Sequence, residues 1–349
     1  MPMELFLVKE VLKGGTMKKQ YDNIQVMRGL AALSVVFMHV QMIHNGAFGV
    51  ELFYCISGFI MMHVTQKGCE GFFVKRIIRI VPLYWAVTLA MAAILIIAPD
   101  VFRTQVFEGE YLLKSLFFIP YYYKGKSGST VNALLAVGWT LVMEVYYYMV
   151  FYVSTRISKK YRHLISSAVL IAVVVIAFVT GSKNTFLRFY GQPVMLEFIL
   201  GMFSYRFLTA EKKKPVTKAK RVIYLLSAAA LWCFLYCEKY IPQLDKIDRF
   251  FRYGIIAFAV FVLLFRALED CRIPRFFVVL GNISYSLYLT HSFVVQGFSR
   301  LIYNIDTFSV TGAVLVVVAV VPLCLAVAWV SWWVIENRLT GFLRKKLIR

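Results

Sequence analysis

Long apolar segments recur along the whole chain and constrain its fold more than any other feature. A helix needs about 20 apolar residues to cross a bilayer. Ten runs of roughly this length lie at residues 24–43, 47–66, 77–98, 133–153, 164–180, 190–209, 221–237, 250–268, 277–297 and 310–335. Hydrophobic residues make up 60% of the chain and charged residues 16%, whereas soluble domains carry about 25% charged residues. The sequence predicts an all-α integral membrane protein, a bundle of about ten transmembrane helices.

The net charge of +21 follows the predicted topology. Most of the 39 Lys and Arg residues fall in segments that the ten helices place on one side, as in AEKKKPVTKAK at 210–220. Cytoplasmic segments of membrane proteins carry such an excess, so both termini are predicted to be cytoplasmic. The positive charge is then explained by the orientation of the helices in the membrane and by contact with anionic membrane lipids. We expect no nucleic-acid partner.

The charge and hydropathy pattern divides the chain into three parts. Residues 1–20 are expected to be a disordered cytoplasmic extension, with translation starting at Met1 or at Met17. Residues 21–337 form the transmembrane domain, and residues 338–349 form a basic cytoplasmic tail. The longest outer segment, 99–132, mixes aromatic residues with Pro and Gly, which is typical of an interfacial lid.

An arginine and a histidine interrupt the first apolar run, at Arg28 and His39 in MRGLAALSVVFMH. Eleven helical steps place the two side chains on one face, about 20° apart and about 16 Å along the axis. Ionisable groups in a membrane span are costly, and by default they indicate a functional site with a partner. For Arg28 alone, the alternative is a side chain that snorkels to the interface.

Further ionisable residues occur in the next three apolar segments. Glu51 opens the second segment near its outer end, where a helix-start charge is the alternative. Arg76 and Arg79 lie at the start of the third segment, and taken alone they also fit the positive-inside bias. Glu144 lies near the centre of the fourth segment. Like His39, it cannot easily reach a membrane interface, and these two residues give the strongest indication of a functional site.

The remaining ionisable groups are less informative. Glu197 lies in the sixth segment, and His291 lies on a helix rich in Ser and Tyr, where a neighbouring hydroxyl can satisfy it. His63 and His163 are expected at the inner interface. No internal repeat is evident, and the polar groups concentrate in the first 150 residues, which weighs mildly against transport. These residues predict a polar site in a helical bundle but leave both an enzyme and a transporter open.

Five motifs resemble acyltransferase family 3, a family of membrane proteins. They are Arg28 with His39 eleven positions later, GVELFYCISGF (49–59), VKRIIRIVPLYW (74–85), GWTLVMEVYYYMVF (138–151) and LGNISYSLYLTH (280–291). Two segments, GWTLVME (138–144) and LEFILG (196–201), are most similar to the branch that decorates exopolysaccharide or O-antigen sugars. One departure is Glu51, where the family more often has Asp, so the carboxylate stands on a longer arm.

This resemblance implies transfer of an acyl group, commonly acetyl, from cytoplasmic acyl-CoA to a carbohydrate hydroxyl across a bacterial inner membrane. The acceptor would be a polysaccharide or a lipid-linked sugar. The alternative is a carrier or flippase for a glycolipid or an acidic metabolite. The sequence leaves open the sugar, its hydroxyl, acetyl versus succinyl, and the oligomeric state.

The candidate residues suit such a transfer. Arg28, Arg76 and Arg79 are expected to bind the donor, because guanidinium groups bind phosphates in forked geometry. His39 is the expected general base, with an acyl-imidazole intermediate as a second possibility. Glu144 or Glu51 would orient the imidazole and stabilise its protonated form. No metal is expected.

Overall fold

The computed structural model describes residues 16–39, 46–66, 68–99, 106–125, 128–210, 215–301 and 310–347. Residues 1–15 of the predicted extension lie outside this part, as do residues 100–105 and 126–127 of the predicted lid. Within the described part, the chain is almost entirely helical. The helices are α1 (Thr16–Met38), α2 (Gly49–Val64), α3 (Phe72–Ile97), α4 (Gly109–Leu116), α5 (Trp139–Ile157), α6 (Arg162–Thr180), α7 (Thr185–Tyr190), α8 (Leu196–Leu208), α9 (Lys218–Cys237), α10 (Ile255–Ala267), α11 (Arg275–Asn282), α12 (Ser284–Leu301), α13 (Val310–Ser331) and α14 (Thr340–Leu347).

Short irregular elements join these helices. Tight 3₁₀ turns cover Ala136–Gly138, Pro193–Met195, Glu238–Tyr240 and Pro242–Lys246, and π-helical segments cover Phe250–Gly254 and Trp332–Leu339. Strands β1 (Tyr121–Gly125) and β2 (Gly128–Asn132) form an antiparallel hairpin in which Tyr121 pairs with Asn132. The predicted lid therefore contains a helix, α4, and this hairpin.

Among the described residues, six helical segments are long and apolar enough to cross a membrane. A seventh candidate is the pair α11 and α12, which bends by 69° at the break between the two helices. Helices α1, α2 and α8 also coincide with predicted runs but do not meet the same criteria of length and composition. The total of ten spans and the cytoplasmic position of both termini remain predictions.

Local sequence signals explain several of the helix ends. Gly181 ends α6 in the left-handed region (φ 53°), which glycine adopts without steric cost. The side chain of Asn184 caps α7, because its Oδ1 accepts hydrogen bonds from the amide N–H groups of Phe186 (2.9 Å) and Leu187 (3.3 Å). Helix α1 begins at Thr16, so residues 16–20 of the predicted extension are helical.

The described chain divides into two compact units. The first contains α1, α2 and α8–α11, and the second contains α3–α7, the hairpin, α12 from Ser286 onward, α13 and α14. In the first unit, α2 and α8 meet backbone to backbone at two glycines. A Cβ atom on Gly201 would lie 2.1 Å from the Cys55 carbonyl oxygen, and one on Gly58 would lie 2.2 Å from the Phe198 carbonyl oxygen. Only glycine allows this close approach.

The second unit secures α4 to α3 through side chains at adjacent positions. The Tyr84 hydroxyl donates to the Ser115 carbonyl (3.1 Å), and the Trp85 indole donates to the Leu116 carbonyl (2.9 Å). Several of its exposed side chains are large and apolar: Phe178 on α6 is 88% exposed and Ile97 on α3 is 83% exposed. Such an apolar surface along a helix suits contact with lipid.

Candidate functional site

The first unit carries Arg28 on α1, which is helical without a break as far as Met38, and His39 directly after this helix. The Arg28 side chain is buried and donates to the Gln25 side-chain oxygen at 3.2 Å. Helix α11 covers this part of α1, because a Cβ on Gly281 would lie 2.2 Å from the Gln25 carbonyl oxygen. Arg28 is therefore packed inside its unit, and it does not extend freely to an interface.

His39 follows the last residue of α1 and is partly buried. Its Nδ1 lies 2.9 Å from the Val35 carbonyl oxygen. A carbonyl can only accept a hydrogen bond, so Nδ1 carries the proton of the neutral ring. The lone pair of the neutral imidazole is then on Nε2, the atom that can accept a proton or attack a carbonyl carbon. Backbone geometry thus sets the tautomer that a general base needs.

Glu51 forms an ion pair with Arg249, a residue that was not among the candidates predicted from sequence. The Glu51 side chain has no exposed surface, and the Arg249 side chain is 38% exposed. The Arg249 Nε donates to Glu51 Oε1, and a long contact of 3.5 Å joins its Nη2 to the Ala47 carbonyl. Burial alone would lower the pKa of Arg249, but the neighbouring Glu51 charge and hydrogen bond raise it above its usual value.

Glu197 on α8 is a second fully buried carboxyl group beside this ion pair. Among the described residues, neither of its oxygens has a hydrogen-bond partner. Its charged neighbours are Glu51, Arg249 and Asp248. Gly254 leaves room for the carboxyl, because a Cβ there would lie 2.6 Å from Glu197 Oε1. Two buried carboxyl groups therefore lie near one guanidinium.

A separate ionic cluster joins the turn after α9 to the start of the helical segment Phe250–Ala267. Arg252, expected within a predicted span, donates to the buried Glu238 and to Asp245 (2.6 Å to the latter). The Tyr253 hydroxyl donates to the other Glu238 oxygen at 2.6 Å. Both carboxylate oxygens of Glu238 are hydrogen-bonded, so the cluster satisfies this buried carboxylate and fastens the turn to the helix.

The second unit brings together Arg76, Arg79 and Glu144 around one side chain, Tyr148. The Tyr148 hydroxyl donates to Glu144 Oε1, one helical turn earlier on α5. The Arg76 guanidinium carbon lies 5.9 Å from the centre of the Tyr148 ring and 5.8 Å from that of Phe72. Tyr148 was not predicted from sequence, although its i,i+4 spacing from Glu144 is a contact that helical geometry favours.

His291, also in the second unit, is held by backbone groups. Its Nδ1 lies 2.8 Å from the Tyr288 carbonyl and 3.2 Å from the Leu287 carbonyl. The Tyr288 hydroxyl bonds to Thr140 and to the Val137 carbonyl. Two carbonyl contacts therefore hold the Nδ1 side of the ring, and the expectation that a neighbouring hydroxyl satisfies His291 stays a prediction. The ring is fully buried, which fits a structural role.

The six candidate residues divide between the two units. Arg28, His39 and Glu51 belong to the first, and Arg76, Arg79 and Glu144 belong to the second. Their catalytic and donor-binding roles remain predictions. In the part of the chain that the structure describes, no group of three His, Cys, Asp or Glu residues is arranged to hold a metal ion.

Several apolar helices and the buried acids and bases described above define a multi-pass membrane protein with internal ionisable groups. Comparison with known proteins gives its family. Residues 21–333 match the model of the acyltransferase domain that defines acyltransferase family 3, and the chain belongs to this family. It is therefore a membrane-bound O-acyltransferase.

Three relatives illustrate the range of the family. The chain is 30% identical over 256 residues to the exopolysaccharide production protein ExoZ of Rhizobium meliloti, covering 72% of this chain and 77% of ExoZ. It is 27% identical to ORF330 of Acidianus two-tailed virus, a candidate acetyltransferase, over 83% of this chain and 88% of the relative. It is 25% identical to BcsY of Komagataeibacter xylinus, a candidate membrane-bound transacylase, over 92% of this chain and 83% of BcsY. No solved structure matches the chain.

Proposed function

We propose that this enzyme transfers an acetyl group from cytoplasmic acetyl-CoA to a hydroxyl of an exported or cell-surface polysaccharide, or of its lipid-linked precursor. The membrane would be a bacterial inner membrane, crossed about ten times with both termini in the cytoplasm. The name of ExoZ, an exopolysaccharide production protein, supports the acceptor class. The observation that carries the chemistry is the contact of His39 Nδ1 with the Val35 carbonyl, because it leaves Nε2 as the base.

In the proposed step, His39 Nε2 takes the proton of the sugar hydroxyl while the hydroxyl oxygen attacks the thioester carbonyl carbon. A carbon–oxygen bond forms, and the tetrahedral intermediate then collapses with cleavage of the carbon–sulfur bond. The imidazolium returns its proton to the departing thiolate, so the products are the sugar ester and free CoA. A neutral imidazole suits this role because its ordinary pKa lies near physiological pH.

The charged candidate residues have distinct tasks in the proposal. Arg76 and Arg79 bind donor phosphates, which guanidinium groups do in forked geometry, and Arg28 binds a phosphate or the pantetheine arm. Glu144 and Glu51 are proposed as the carboxylates that stabilise the imidazolium. The ion pair with Arg249 supports an ionised Glu51, because a buried carboxylate needs a counter-ion to keep its charge.

The test is label transfer in sealed membrane vesicles that contain the unacylated polysaccharide. Acetyl-CoA labelled in the acetyl group is added to inverted vesicles, where the cytoplasmic face is outside, and to right-side-out vesicles. The proposal predicts covalent label on lumenal polysaccharide in inverted vesicles only, and none with His39→Ala. Polysaccharide or glycolipid that changes side without becoming labelled would indicate a carrier instead.

A further inference from the structure

Tyr148 lies at the point where three candidate residues of the second unit meet. Its hydroxyl donates to Glu144 Oε1, and its charged neighbours are Glu144, Arg76 and Arg79. The side chain is buried and belongs to α5, whereas both arginines belong to α3. A single side chain therefore connects the carboxylate on one helix with the basic pair on another.

Different parts of Tyr148 make these contacts. The hydroxyl binds the Glu144 carboxylate, and the ring contacts the Arg76 guanidinium at 5.9 Å from its centre. A cation over an aromatic ring is attracted by the negative face of the ring. Phe72 packs edge-on against the same ring, with 6.4 Å between centres and 80° between planes, and it also contacts Arg76. The ring is held from two sides, so the direction of its hydroxyl is fixed.

We infer that Tyr148 is a positioning residue for acyl transfer: its hydroxyl orients the Glu144 carboxylate, and its ring orients the Arg76 guanidinium. This inference rests on the proposed function, in which Glu144 serves the chemical step and Arg76 binds the donor. The hydroxyl serves the chemical step and the ring serves donor binding. Replacing one part without the other therefore separates kcat from KM.

Tyr148→Phe removes the hydroxyl and keeps the ring. We expect kcat to fall by roughly ten- to hundred-fold, the effect of a lost hydrogen bond to a charged group. The KM for acetyl-CoA should stay within about two-fold, because the Arg76 contact remains. Tyr146→Phe is the matched control on the same helix, since Tyr146 stacks on Tyr190 (4.1 Å between ring centres) and should leave both constants unchanged.

A double variant separates positioning from general support of the fold. If Tyr148 acts through Glu144, adding Tyr148→Phe to Glu144→Gln should lower kcat no further, because residues that act as a unit are not additive. Variants are compared at equal membrane abundance. An unchanged kcat in Tyr148→Phe, a rise in KM alone, or additive losses in the double variant would each overturn the inference. A wild-type enzyme that transfers no label would overturn the proposed function as well, whereas an active wild type with an unaffected Tyr148→Phe overturns the positioning role alone.

Discussion

Arg249 donates a hydrogen bond to Glu51, although the two residues are 198 positions apart in the chain. The carboxylate is wholly buried, and the guanidinium is partly exposed. The two partners are therefore unequal: Glu51 depends on Arg249 for a counter-charge, whereas the Arg249 side chain keeps part of its surface exposed.

Removing Arg249 should destabilise the protein more than removing the charge of Glu51. Arg249→Gln leaves a buried carboxylate without its cation, which we expect to cost about 1–3 kcal/mol of unfolding free energy. Glu51→Gln leaves a partly exposed arginine, and its cost should be smaller. The measurement is unfolding of the purified protein in detergent, with Arg206→Gln as the control because Arg206 is exposed. Equal costs for the two variants would contradict this asymmetry.

His39 should be essential for transfer but not for insertion. His39→Ala removes the base, and activity should fall by at least the ~10²–10⁴-fold typical of general acid–base catalysis. Membrane abundance should be normal, because losing an ionisable side chain from a span does not raise the insertion cost. The measurement is the acetyl content of polysaccharide in cells that carry each variant at equal abundance. His291→Ala should cause a smaller loss, and wild-type acetylation with His39→Ala would show that His39 is not the base.

The basic pair on α3 should affect donor affinity more than turnover. Arg76→Ala and Arg79→Ala each remove a charge-assisted contact, worth on the order of 1.5–3 kcal/mol. We expect a higher KM for acetyl-CoA and a less altered kcat. Lys75→Ala is the control on the same helix, because within the described part of the chain the hydrogen bond of the Lys75 side chain is an exposed 3.4 Å contact with the Glu70 carbonyl. An unchanged KM in both arginine variants would contradict donor binding and would indicate that the pair only helps to set the orientation of the helix in the membrane.

Glu197 should be a neutral carboxylic acid in the resting protein. Its two oxygens have no hydrogen bond within the described part of the chain. A buried charge in such surroundings is strongly disfavoured, so the group takes up a proton. Infrared spectroscopy distinguishes the two forms, because only the protonated acid shows the carbonyl stretch of a carboxylic acid. We expect this band in the wild type and its loss in Glu197→Gln. Glu238→Gln should leave the band intact, since Glu238 pairs with Arg252. A band that persists without Glu197 would show that the proton belongs to another group.

The apolar runs predicted the positions of the helices better than their ends. Helix α1 begins at Thr16, eight residues before the first apolar run, and helical structure continues from α13 to Leu347 through polar sequence. Hydropathy marks the part of a helix that suits lipid, and a helix can continue beyond it wherever nothing breaks its backbone. The hairpin at 121–132 was missed because its two short strands give little periodic signal.

The candidate site was predictable only where its contacts are local. The Glu144–Tyr148 contact follows from helical spacing and could have been found from the sequence. The partner of Glu51 could not, since Arg249 was one of several basic residues between the predicted spans. Its role depends on the packing of distant segments, and a single sequence carries no local signal of that packing.

The glycine contact between α2 and α8 has a mechanical consequence. Each helix carries one of the buried carboxyl groups, Glu51 on α2 and Glu197 on α8, and the backbones touch at Gly58 and Gly201. At each glycine a carbonyl oxygen of the other helix occupies the space that a Cβ atom would need. Sliding one helix along the other would therefore cause backbone collisions. We therefore expect α2 and α8 to move as one rigid body during the catalytic cycle, which would keep the backbone spacing of the two carboxyl groups constant.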